Sequence, residues 1–253
     1  MAELARAGGR IGLARLAEAL ADRDTRIVRA ALDAIPLQRS GILLLDRVAH
    51  SARATDRTLR ERGLRALSTL LGNTNGEQLA AWEVPAESLR VACQALAAAA
   101  GNEAEESSLR LLALQGLADA GLLCAVSFRP SQLLKSSDPQ VRRAAVLALP
   151  ASAQTKAALA SALKDRDGRV AAAAGARFCD LAGGAVAAST EPSLGKVALA
   201  EGAVIEDVVD LLPCLARSKV AEDGRALEAL RARGPTVVRD AIKNLTGVET
   251  DKN

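Results

Sequence analysis

One short motif recurs along this chain, and recurrence constrains the fold more than any average property, because every copy must adopt the same local structure. Asp24-Thr-Arg-Ile-Val-Arg-Ala-Ala-Leu-Asp-Ala-Ile-Pro36 aligns with Asp138-Pro-Gln-Val-Arg-Arg-Ala-Ala-Val-Leu-Ala-Leu-Pro150. Both read Asp, two variable positions, an aliphatic, one variable position, Arg-Ala-Ala, an aliphatic, another variable position, and finally Ala-aliphatic-Pro. A third copy begins at Asp167 with Gly-Arg-Val-Ala-Ala-Ala-Ala-Gly, and its approach, Leu163-Lys-Asp-Arg-Asp167, mirrors Leu20-Ala-Asp-Arg-Asp24. Asp56-Arg-Thr-Leu-Arg-Glu-Arg-Gly-Leu-Arg-Ala-Leu67 keeps the same apolar register, and looser copies start near Glu106 and Asp223.

Each copy has the chemistry of a helix start. An Asp at the N-cap accepts bonds from backbone N–H groups that lack a helical partner, and it faces the positive end of the helix dipole. Pro139, next in the chain, has no N–H to leave unpaired. Val141, Ala144, Ala145, Ala148 and Leu149 then fall at i, i+3, i+4, i+7 and i+8, one apolar stripe on one face. A second apolar helix precedes each Asp: Ile11 to Leu20, Ile42 to Ala49, and Thr155 to Leu163. The expected unit is therefore helix, tight polar turn, helix. Asp56 follows Asp24 by 32 residues and Asp167 follows Asp138 by 29.

The Asp138-Pro-Gln-Val-Arg142-Arg-Ala-Ala segment resembles the second-helix signature of bacterial HEAT repeats, the group also called HEAT-like or phycobilin-lyase-type repeats. That resemblance implies an all-α superhelix of the HEAT/armadillo solenoid kind, here of about six helix pairs, running as one array over residues 1–253. It also implies that each acidic cap and the Arg four residues later form a ladder of contacts along the stacked units, a pattern that Asp56 and Arg60, Glu106 and Arg110, and Asp138 and Arg142 fit. Val28 and Ala171 occupy that Arg position in two copies, so the ladder should be interrupted there. The resemblance is clearest at residues 10–71 and 130–182. It fades where Gly72-Asn-Thr-Asn-Gly76 and Trp82-Glu-Val-Pro85 predict a loop insertion over 72–85, and where Gly183-Gly184 and Ser189-Thr-Glu-Pro192 predict an irregular break over 183–192. Pro235 and Gly247 bracket a last helix, a terminal cap over 235–247.

Composition agrees with helices. Hydrophobic residues make up 49% of the chain but aromatics only 1%, and Ala and Leu supply most of the apolar content. These residues lose least on entering a helix, whereas a β-sandwich needs the β-branched and aromatic residues that are scarce here. The net charge of +3 is small, but it is unevenly placed: +5 over residues 1–71, −5 over 72–127, +5 over 129–182 and −2 beyond. One continuous basic stripe is what nucleic acid calls for. Alternating blocks suit a protein partner with its own charge pattern, or simple solvation.

The four cysteines, Cys93, Cys124, Cys179 and Cys214, form no C-x-x-C pair, so neither a zinc knuckle nor a thioredoxin-type site is supported. Cys93, Cys124 and Cys179 stand in apolar helical segments, where a free thiol acts as a small hydrophobe. Buried thiols of this kind would suit a reducing compartment. The N-terminal MAELARAGGRIGLARL has no continuous apolar core for an export signal, and no apolar run is long enough to span a bilayer. The expectation is a cytoplasmic protein, and the preference for Ala, and for Arg over Lys, points to a bacterium with a GC-rich genome.

Reactive side chains are few. His50 is the sole histidine, so any Ser-His-Asp or Cys-His arrangement would have to use it, and its place near a helix C-terminus already explains it structurally. Metal-dependent HEAT enzymes that hydroxylate deoxyhypusine use several His-Glu pairs, which one histidine cannot supply. HEAT-like alkylpurine glycosylases use aromatics around a DNA-facing groove, and this chain has one Trp and no Tyr. Gly8-Gly9-Arg and Gly183-Gly184 lack the context of a phosphate loop. No catalytic residue, metal ligand or cofactor site is expected.

What remains is a binding surface. Arg26, Arg29, Arg57, Arg65, Arg143 and Arg169 lie on or beside the second helices, which line the concave face of HEAT solenoids, and could form a basic track there. The planar guanidinium fork suits carboxylate or phosphate partners. Trp82, isolated in a Pro-containing insertion, is either core for the insertion or an interface anchor. The function expected is a non-catalytic interaction scaffold binding a protein or peptide on its concave face. One alternative is a lyase-type or maturation-factor subunit handling a cofactor or client. The other is nucleic-acid binding through the Arg-rich helices.

Overall fold

In the computed structural model the described residues are 10–124, 130–149, 153–181 and 192–246, and among them the regular structure is entirely helical. Contacts divide the chain into two units, with the boundary between Leu133 and Leu134.

The first unit follows the repeat. Helix α1 (Arg10–Ala19) leads through the Asp22-Arg23-Asp24 turn into α2 (Thr25–Ala34). Asp24 caps α2: its carboxylate accepts from the Arg26 backbone N–H at 2.9 Å. Pro36 ends the α-helical run, and the chain continues in 3-10 turns, Ile35–Leu37 and Arg39–Leu44, before α3 (Leu45–Ser51). The expected helix from Ile42 therefore opens as 3-10 structure. Gly41 shows how tight that connection is: a Cβ there would stand 2.4 Å from the Ile35 carbonyl oxygen. Asp56 caps α4 (Arg57–Gly72) through the Leu59 N–H at 2.8 Å.

The segment 72–85 was expected to be a loop, yet it contains a short helix, α5 (Gly76–Ala81). A reciprocal capping box nucleates it: the Asn75 side chain accepts from the Gln78 N–H at 2.8 Å, and the Gln78 side chain accepts from the Asn75 N–H at 2.9 Å. The array then resumes with α6 (Ala86–Gly101) and α7 (Ser107–Ala120), after which Gly121, at φ +52°, turns the chain into a 3-10 segment ending at Cys124. Second helices pack on second helices, α2 on α4 and α4 on α7, while the first helices α3 and α6 pack on each other.

The second unit repeats that logic. After a 3-10 turn, Pro130–Lys135, come α8 (Pro139–Leu147), α9 (Ala153–Ala162), α10 (Gly168–Leu181), α11 (Leu194–Ala198), α12 (Ile205–Arg217), α13 (Ala221–Arg233) and α14 (Thr236–Thr246). The second-helix row runs α8, α10, α12, α14, and α11 packs on α13 in the other row. Its core is aliphatic and small: Val141, Val146, Leu159, Val170, Ala172 and Leu211 are among the residues almost fully buried. Such side chains allow close helix approach and leave stacking of neighbours as the source of stability. Of the predicted break at 183–192, residues 183–191 lie outside the described residues, as does Gly247 after α14.

The reading of the cysteines as free thiols is overturned. Cys93 is bonded to Cys124, and Cys179 to Cys214, leaving no free cysteine. Sequence separations of 31 and 35 residues conceal this pairing, because one helical repeat intervenes and stacking brings the ends together.

Candidate binding groove and arginine clasps

The C-terminus of α4 and the α5 insertion build one wall of a groove, and the 3-10 connector after α2 builds the other. Thr74 closes α4, its hydroxyl donating to the Leu70 carbonyl at 2.6 Å. At the far end of α5 the Val84 N–H bonds the Leu79 carbonyl and the Glu83 N–H bonds the Ala80 carbonyl, both at 3.0 Å. That is a Schellman termination, and it requires a left-handed residue, which Glu83 supplies at φ +49°. A side-chain-bearing residue is strained there. Trp82, the C-cap of α5, lines the groove beside the connector.

The groove encloses about 420 Å³ and is lined by Pro36, Leu37 and Ile42, by Thr69, Leu70 and Asn73, and by Gln78 and Trp82, with Gln38, Arg39 and Thr74 completing it. Two of these residues are large apolar groups left in water: Leu37 is 74% exposed and Trp82 42%. Leu37 and Trp82 thus share one concavity rather than standing singly on the surface. Among the described residues no acidic one lines it, and Arg39 is part of the lining. A space of this size accommodates one or two side chains of a partner.

The arginines expected to form a basic track are for the most part held by carboxylates. Arg57 makes a two-pronged contact with Glu106 at 2.6 and 2.6 Å, tying α4 to the cap of α7. Arg65 pairs with Glu61 at 3.2 Å. Arg143 grips Asp207 through two bonds of 2.9 Å, joining α8 to α12. Arg26 folds back on Asp24, which its side-chain bond, together with its own N–H, holds down to about 2. Arg169 does the same to Asp167, lowering that carboxyl too. Arg29 donates to the Thr25 carbonyl at 3.2 Å.

The ladder arginines take acidic partners from inter-helix turns. Arg142 is gripped by Asp165 at 2.8 and 2.9 Å and donates to the Ser136 and Ser137 carbonyls at 2.9 and 3.2 Å. Arg60 reaches Glu105 at 2.7 Å and the Ala54 and Thr55 carbonyls at 2.7 and 3.0 Å. Arg110, buried, takes Glu103 at 2.7 Å and the Ala100 carbonyl at 3.1 Å. The geometric reason is common to all three. An Arg four residues into the helix lies against the turn that precedes it, where carbonyls converge, and its fork meets an acid in a turn rather than the cap on its own helix. Asp138 and Asp167 accept from the Gln140 and Arg169 N–H groups at 2.8 and 3.0 Å. Glu106 stands at the N-cap of α7 without a side-chain capping bond, its carboxylate turned to Arg57. Asp223 lies inside α13 rather than at its cap. It is 1% exposed, and accepts from the Gly195 N–H at 2.7 Å and the Ser218 hydroxyl at 2.5 Å.

His50 is exposed in the last turn of α3. Among the described residues no group of three or more His, Cys, Asp or Glu is placed to hold a metal ion, and no helix is long and apolar enough to cross a membrane.

Against solved structures, the chain is similar to an archaeal HEAT-like repeats protein from Thermococcus onnurineus NA1, with a TM-score of 0.56 and 16% identity over 92% of this chain and 95% of that one. The fold is an α-helical repeat fold of the HEAT-like kind. An engineered protein shares it with a TM-score of 0.51 and 16% identity over 93% of this chain and 67% of that one. No family model and no curated protein matches the sequence.

Of the groove, the sequence singled out only Trp82. Leu37 and Arg39 follow a helix-stopping Pro and lie outside the repeat motif. The available signal was an exposed-looking Pro-Leu pair after the repeat, but its meeting with Trp82 depends on the α2–α4 packing.

Proposed function

We propose that this chain is a non-catalytic binding scaffold that docks a protein or peptide, with the groove beside α5 as its anchor site. The carrying observation is that Leu37 and Trp82, both substantially exposed, line one concavity of about 420 Å³. The occupant that fits is an extended segment inserting an aliphatic or aromatic side chain between them, with an acceptor such as a carboxylate toward Arg39. Trp is among the residues that dominate binding energy when an interface covers it.

The arginine-bearing second helices extend this surface in a subordinate role. Arg57 and Arg143 are engaged in joining one repeat to another, which favours a protein partner over nucleic acid, since phosphate binding would have to displace carboxylates already in place. An interaction along the concave face is part of the proposal, with the exposed Arg26 and Arg65 as polar rim contacts.

Selection of a displayed peptide library on the folded protein tests the reading. Wild type should enrich peptides with an apolar anchor, and Trp82→Ala, confirmed folded by circular dichroism, should weaken the selected peptides by about 30-fold, the loss of one anchor of about 2 kcal/mol. Failure to enrich any sequence, or binders indifferent to Trp82→Ala, would reject the groove.

A further inference from the structure

Both disulfides occupy positions where a reduced thiol offers no special benefit. Cys93, Cys124, Cys179 and Cys214 are 1%, 2%, 5% and 0% exposed, in cores that this chain elsewhere fills with Ala, Val and Leu. As isolated small hydrophobes, four cysteines would be spread among core sites independently of one another. Instead all four fall into two pairs with none left over, the Cα atoms 5.3 and 5.9 Å apart, within the usual span of a bridge.

The bonds also join what the repeat alone leaves separable. Cys93–Cys124 ties α6 to the 3-10 segment beyond α7, closing a whole helix pair at the point where Gly121 turns the chain out of the repeat. Cys179–Cys214 ties the last turn of α10 to α12, two successive second helices, across a sequence separation of 35 residues. In an array where each repeat touches only its neighbours, a covalent link between repeats acts where cooperativity is weakest.

We infer that both bridges are permanent structural bonds and that the chain matures and works in a thiol-oxidising compartment, so that the partner docked at the groove is a resident of that compartment. Disulfides persist where the redox poise is oxidising and are removed in a glutathione-reduced cytosol. This departs from the cytoplasmic expectation, which rested on free thiols, on an N-terminal segment without an apolar export core and on the lack of a bilayer-spanning run; the cysteine pairing removes the first of these. The inference about compartment rests on the cysteine pairs and stands or falls independently of the groove.

The test is thiol trapping on the full chain in cells of its source organism, quenched in acid, fractionated and labelled with a maleimide mass tag before and after reduction. The expected result is no tag before reduction, four after, and recovery in a non-cytosolic fraction, with peptides carrying Cys93–Cys124 and Cys179–Cys214 linked in the unreduced digest. Four tags before reduction, or different linkages, overturn the bridges. Oxidised protein confined to the cytosolic fraction overturns the compartment. On purified oxidised protein, the paired substitutions Cys93→Ala/Cys124→Ala and Cys179→Ala/Cys214→Ala should each lower Tm by roughly 10 °C. An unchanged Tm in both would show that the bonds are not structural.

Discussion

Replacing Gly63 by Ala should destabilise the first unit, although Ala is the better helix former. Gly63 lies buried in the middle of α4, where the helix crosses the end of α3. A Cβ at Gly63 would stand 2.4 Å from the Ala52 nitrogen, 2.7 Å from the Ala52 Cα and 2.7 Å from the Ser51 carbonyl carbon. These are backbone atoms of the last turn of α3 and cannot rotate away as a side-chain tip would. Restoring an ordinary contact of 3.4 Å means opening the interface by about 1 Å, and gaps of that size forfeit a quarter to a half of the dispersion well for every atom facing them. Leu45 and Val48 of α3 and Leu64 and Leu67 of α4, none measurably exposed, belong to the packed core of these two helices, which has no slack to absorb the shift. Helix propensity returns about 1 kcal/mol, while overpacking against immovable backbone costs about 3 kcal/mol, leaving a net loss of about 2 kcal/mol. In urea denaturation followed by circular dichroism at 222 nm, the midpoint should fall by about 1 M. Gly224→Ala is the matched control. Gly224 is an exposed interior residue of α13, and a Cβ there meets nothing within 4 Å, so the same substitution should stabilise by about 0.5–1 kcal/mol. If Gly63→Ala proves as stable as wild type, the close crossing of α3 and α4 is wrong.

Glu83→Gly should stabilise by about 1 kcal/mol, because glycine takes the left-handed C′ position of α5 without strain; a lower melting temperature would refute the Schellman assignment. Asp165→Asn should cost about 2–3 kcal/mol at neutral pH by leaving the largely buried Arg142 without its charge partner. Burial pushes the Asp165 carboxyl up, but the bonds from Arg142 and from the Asp167 N–H outweigh it and hold it below the usual range. A depressed carboxyl contributes stability that is present above the unfolded value near 4 and is lost as pH falls through the lower folded value. Wild type and Asp165→Asn should therefore converge in acid. A gap that stays constant from pH 7 to pH 2 would mean that the Arg142–Asp165 pair is not what the substitution removes.

The reach of each interaction in sequence explains how legible it was. Helix starts depend on residues two or three places apart, such as Asp24 with the Arg26 N–H, so they can be read from a single copy of the motif. The partner of Arg142 lies 23 residues away and that of Arg60 lies 45 away, so the sequence could suggest that these arginines bond locally but not to whom. The capping box at Asn75 and Gln78 is local, and its Asn-Gly-Glu-Gln signature was available to be read as a helix start within the predicted loop.

What the chain's order of residues determined by itself was the repeating helix pair: an acidic residue, a small aliphatic stripe at helical spacing and a terminating proline dictate local structure through contacts within one turn. Stacking decided the rest. It brought Cys93 to Cys124 and Cys179 to Cys214, joined Arg57 to Glu106 and Arg143 to Asp207, and set Leu37 beside Trp82. All of these are meetings between segments separated by at least one repeat, and their geometry comes from how helices pack on one another, which no single copy of the motif encodes.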